Sequence, residues 1–126
     1  MSNLSSFIQL FTGIFTDKIT ANAGIALSSG SINDQVGTTY TLLAADNGKF
    51  ITCNNAAAIT VTVPSGLGVG FSCSIIQKGA GQVSLSASGT TLRLVASQNK
   101  TAAQYAVMTL LSHVADEFIV GGNVSA

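Results

Sequence analysis

From Thr38 onward the chain alternates short apolar-rich runs with turn residues about every eight to twelve positions, a rhythm typical of all-β sandwiches and barrels. The stretch "AAAITVTVPSG" shows the unit most clearly. Ile59, Val61 and Val63 point to one side of a strand and Thr60 and Thr62 to the other, because strand side chains alternate with a period of two. One side reads as core. The other carries hydroxyls and methyls without any charge. Pro64 ends the run, since proline cannot donate to a sheet ladder.

The same grammar extends both ways. "TTYTLLAADNGKFITC" predicts two strands around Asp46-Asn47-Gly48, a hairpin signal because Asn and Gly tolerate positive φ. "GFSCSIIQ" and "QVSLSA" flank Lys78-Gly79-Ala80-Gly81, a second glycine hairpin. "TTLRLVA" follows a Ser88-Gly89 turn, and "QYAVMTLLSHV" with "EFIVGG" forms a closing pair joined at Ala115-Asp116. Residues 101–114 also place Gln104, Val107, Leu110, Leu111 and Val114 on one helical side. The alternation of Tyr105, Val107, Thr109 and Leu111 beside short strands favours a strand. The expected fold is an all-β, antiparallel β-sandwich or barrel-like module over 38–126, a jelly-roll-like arrangement included.

Residues 1–37 differ. Leu4, Phe7, Ile8, Phe11, Ile14 and Phe15 recur at three- and four-residue steps, one face of a short N-terminal helix over about residues 3–18. Ser2 or Asn3 can cap it. A helix this short needs something to dock on, either the chain's own body or another subunit. Those six side chains are the predicted contact residues of an adhesive arm. Residues 19–37, rich in glycine and small polar residues, read as an extended connector with a short strand at Ile25–Leu27.

Charge narrows function. Charged residues make up 8% of the 126-residue chain, against roughly 25% in ordinary soluble domains. Five Lys and Arg balance five Asp and Glu, so there is no cationic footprint for a nucleic-acid backbone. Low charge suits a protein packed against copies of itself or a larger assembly. No signal peptide or run of about 20 apolar residues is visible, which predicts synthesis in the cytoplasm and no membrane association.

Chemistry is sparse. His113 is the single histidine, and Asp116 and Glu117 follow it closely. A Ser-His-acid site needs a nucleophile within reach of the base and a third group orienting it. Cys53, Cys73 and His113 lack the paired spacing of zinc ligands, and two cysteines inside apolar runs read as buried free thiols. Asp34, Asp46 and Asp116 each sit beside a turn, where Asp is expected for backbone reasons. "GLGVG" and "KGAGQ" match no phosphate-binding loop. No catalytic, cofactor or metal residue is predicted, and the chain is not read as an enzyme.

In order, "YTLLAADNGKFITCNNAAAITVTVPSG", "GFSCSIIQKGAGQVSLSASGTTL" and "QYAVMTLLSHVADEFIVGGNV" resemble a small β-structured module of tailed-bacteriophage virion proteins, over about residues 38–124. The resemblance implies a trimerising or subunit-packing module without catalytic residues. It points to a capsid decoration or cement protein or a short head fibre, located in the virion and bound to the major capsid protein or another virion protein. The self-association it implies is a homotrimer, with a twofold dimer as competitor. A tail-fibre or tail-tip component binding a host receptor or glycan is the alternative. Tyr40 and Tyr105, without any Trp, offer little stacking surface for a sugar.

Overall fold

The structure is a computed structural model that describes residues 32–126; the predicted arm helix, its six contact residues and the strand at Ile25–Leu27 lie outside them. The chain divides into Met1–Gly30 and Ser31–Ala126. The second unit is all-β. Its strands are β1 (Ile32–Gln35), β2 (Thr39–Thr41), β3 (Phe50–Cys53), β4 (Ile59–Pro64), β5 (Ser72–Gln77) and β6 (Val83–Ser88), followed by β7 (Thr91–Arg93), β8 (Lys100–Thr101), β9 (Val107–Val114), β10 (Glu117–Gly122) and β11 (Val124–Ser125). The strand β1 falls in the stretch read from sequence as connector.

The strands form two sheets, ordered β1-β3-β5-β9-β10-β7 and β11-β8-β6-β4-β2. Through the first half the chain changes sheet with every strand. β1, β3 and β5 pair in parallel in the first sheet, and β2, β4 and β6 pair in parallel in the second. The result is a short coil stack. A parallel pair needs a crossover connection, and here the crossover is the strand of the opposite sheet.

This corrects the antiparallel sandwich expected from sequence. The turns at Asp46-Asn47-Gly48 and Lys78–Gly81 are not hairpins; each carries the chain from one sheet to the other. The misreading has a physical origin. Parallel strands usually alternate poorly because both their faces are covered, but in a coil stack only the inner face is buried. The alternation then looks antiparallel. The second half does turn back: β9 pairs antiparallel with β5 and β10, and β8 pairs antiparallel with β6 and β11. The β9–β10 turn at Ala115-Asp116 is where the sequence put it, with Asp116 at φ 56°. The ambiguous segment is a strand, β9.

The core lies between the sheets. Ile59, Val61 and Val63 of β4 face Ile51, Ile75 and Met108 of the other sheet, all at most 1% exposed. Phe71 and Phe118 meet edge-to-face at 6.1 Å between centroids. Corners stack as strictly as strands. Asn54 N–H donates to the Gln35 carbonyl at 2.9 Å, Lys78 N–H to Cys53 at 2.8 Å and Gly81 N–H to Asn55 at 2.8 Å. A Cβ on Gly81 would sit 1.8 Å from the Ala57 carbonyl oxygen. The glycines of "KGAG" are there because one corner lies directly on another.

Candidate functional surface

Each sheet shows a different outer face. That of the β2–β4–β6 sheet is a hydroxyl ladder: Thr39 stands beside Thr60 and Thr60 beside Ser84, while Thr41, Thr62 and Ser86 form the next row. This is where the uncharged side of "ITVTV" goes. It carries no large apolar side chain among the described strand residues.

The outer face of the six-stranded sheet carries exposed apolar side chains on either side of a Ser/Thr centre. Ile32 lies beside Phe50, Phe50 beside Ser74 and Ser74 beside Thr109. The neighbouring rows add Thr52, Ile76 and Val107 on one side and Ser72, Leu111 and Ile119 on the other. Ile32, Phe50, Val107, Leu111 and Ile119 are between 39% and 58% exposed, an unusual concentration of open apolar side chains for one small sheet. A shallow depression beside Phe50 is floored by Ser72, Ser74 and Thr109.

Lys49 borders that depression, and the charged strand residues of this face sit at two opposite corners. Asp34, on β1, accepts a hydrogen bond from Thr52 Oγ1. At the far edge Arg93 of β7 pairs with Glu117, and His113 Nε2 lies 3.9 Å from Glu117 Oε2. The Arg93 side chain is 65% exposed, so most of its guanidinium donors remain open to solvent.

The titratable and nucleophilic residues are placed apart or tied into structure. The hydroxyl next to His113, Ser112, points inward and donates to the Val114 carbonyl at 3.0 Å. Asp116 Oδ1 accepts the Gly66 N–H at 2.9 Å, the backbone role expected of a turn aspartate. Asp46 is 2% exposed and holds the first coil together: it accepts from Tyr40 Oη at 2.6 Å, Asn33 Nδ2 at 2.9 Å and Leu43 N–H at 2.9 Å. Burial first, and the hydrogen bond to Asp46 second, push the Tyr40 phenol up to about 12. Cys53 and Cys73 are buried free thiols, as read from sequence. Burial pushes Cys53 up to about 11 and, with help from the Asp46 charge, Cys73 up to about 12. Phe50 pairs with Ser74, which sets Cys53 and Cys73 four residues out of register on neighbouring strands. That offset is about 13 Å, beyond the ~7 Å between Cα atoms that a disulfide spans. Among the described residues no three His, Cys, Asp or Glu side chains converge.

Sequence reasoning missed the apolar face. The signal was present in the doubled apolar pairs Ile75-Ile76 and Leu110-Leu111, where a strand with one solvated face would have placed a polar residue. No protein-family model matches this chain, and no curated protein matches it.

Proposed function

We propose that this chain is a non-enzymatic structural protein of a tailed-bacteriophage particle, a capsid decoration or short head-fibre subunit that packs against copies of itself and against the shell. The observation that carries this reading is the outer face of the six-stranded sheet. A free monomer gains nothing from holding Phe50, Leu111 and Ile119 in water, whereas a packed subunit buries them. The low overall charge and the resemblance to virion modules point the same way. In this reading Leu4, Phe7, Ile8, Phe11, Ile14 and Phe15 attach the subunit to the shell.

The test is to locate the protein on purified particles with a gold-labelled antibody against residues 32–126. Labelling spread over the head supports the proposal. Labelling confined to the tail tip would move the assignment to a receptor-binding component, and unlabelled particles would end it.

A further inference from the structure

Each residue on the outer face of the six-stranded sheet has a defined place on a lattice. Neighbouring strands are about 4.8 Å apart, and successive outward residues along a strand lie about 6.6 Å apart. On this lattice Asp34 and Arg93 occupy diagonally opposite positions, on the two edge strands β1 and β7. Apolar residues lie between them on either side of Ser74 and Thr109. Ile32 and Phe50 sit on the Asp34 side, and Leu111 and Ile119 sit on the Arg93 side.

We propose that this face is a self-complementary docking surface for a second copy of the chain, related by a twofold axis in the plane of the sheet and perpendicular to the Asp34–Arg93 diagonal. That operation lays Asp34 of each copy over Arg93 of the other, where it shares a guanidinium already paired with Glu117 of its own chain, at two equivalent places on the rim. The same operation carries Phe50 onto the neighbourhood of Leu111 and Ile32 onto the space between Ile119 and Glu117, so apolar side chains meet on either side of a Ser/Thr centre. The depression beside Phe50 falls close to the axis. An isologous contact of this kind closes at two subunits and leaves no open end.

Area and charge both favour a second copy as the occupant. Six strands span about 24 Å and four outward rows about 20 Å, so the face offers roughly 500 Å² per copy before side-chain relief is counted. Two faces together bury about 1,000 Å² or more, the lower bound for a specific interface. A partner of another kind would have to bring one cation and one anion at the same diagonal spacing. A second copy brings them by symmetry. The inference rests on the packing reading above and assigns the surface and the symmetry.

The closing experiment uses the full chain carrying Asp34→Cys and Arg93→Cys. Within one chain these positions are about 27 Å apart along the diagonal of the sheet, so any disulfide between them joins two copies. The native Cys53 and Cys73 are buried and do not compete. Under mild oxidation the expected product is a covalent dimer that stops at two subunits. Adding Leu111→Asp, on an exposed position that leaves the core intact, should weaken association about 100-fold and remove the cross-link. Thr62→Asp, on the hydroxyl ladder, should change neither. Three outcomes overturn the proposal. A ladder reaching trimers refutes the twofold. An oligomer by sedimentation that is indifferent to Leu111→Asp places the contact elsewhere while leaving self-packing intact. A monomer at all concentrations up to about 100 μM removes self-packing as well, far above the micromolar affinity a standard interface reaches.

Discussion

Replacing Gly81 by alanine tests the coil stack at its tightest point. A Cβ there would lie 1.8 Å from the Ala57 carbonyl oxygen and 2.7 Å from the Asn55 carbonyl oxygen, where real Cβ contacts stay above 3.0 Å. One corner must therefore lift off the other. Lifting it stretches the Gly81 N–H bond to Asn55 (2.8 Å) and the Ile59 N–H bond to Gln82 (2.9 Å). Losing each costs about 1–3 kcal/mol when the groups are left without partners, so Gly81→Ala should destabilise by about 2–5 kcal/mol. Gly48→Ala is the contrast. Its φ of +78° strains a side chain, but the space around it is open, and about 1–2 kcal/mol is expected. Had Lys78–Gly81 been an exposed hairpin turn, Gly81→Ala would be near neutral or stabilising by about 0.4–1 kcal/mol through the unfolded chain. Urea unfolding followed by circular dichroism measures both variants. A Gly81→Ala loss no larger than that of Gly48→Ala would refute the stacked-corner account.

Other expectations follow from the same contacts. Tyr40→Phe removes the phenol that donates to buried Asp46 and should cost about 1–3 kcal/mol in urea unfolding; an unchanged midpoint would contradict the network. Because Tyr40, Cys53 and Cys73 titrate higher folded than unfolded, their contribution to stability is complete below pH 9 and drains away as pH climbs towards 12, so the urea midpoint should fall over that window, and a flat profile would contradict it. Both thiols should ignore a thiol reagent in the native protein and react fully after unfolding; fast labelling of the folded chain would contradict their burial. Phe11→Asp should abolish incorporation into particles while leaving the melting of the β unit unchanged; incorporation at the wild-type level would remove the arm from the proposal.

Much of the β unit was legible because a period of two reports which side of a strand is dry. Ile59, Val61 and Val63 are buried as their spacing demanded, and Val107 to Val114 form a strand despite several good helix formers, with Tyr105 in the turn before it at φ 68°. Pairing was not legible. Alternation is identical whether the neighbour is the next strand in sequence or one a whole coil away, and Asn47-Gly48 serves a corner as well as a hairpin. What distinguishes the two is the close approach at Gly79 and Gly81, which is a property of the stacked corners rather than of the turn itself. The outer face was hidden for a related reason: Phe50 in "GKFITC" reads as one more apolar residue until register shows Ile51 and Cys53 already filling the core side.

The account rests on the claim that this β unit is a packed virion subunit whose six-stranded sheet turns its outer face to a neighbour. A cryo-EM reconstruction of the purified particle at side-chain resolution tests that claim most directly. The account predicts coil-stack density on the head in which Phe50, Leu111 and Ile119 are covered by another subunit. Density in which that face is open to solvent in every copy, or particles without the coil stack, would contradict it.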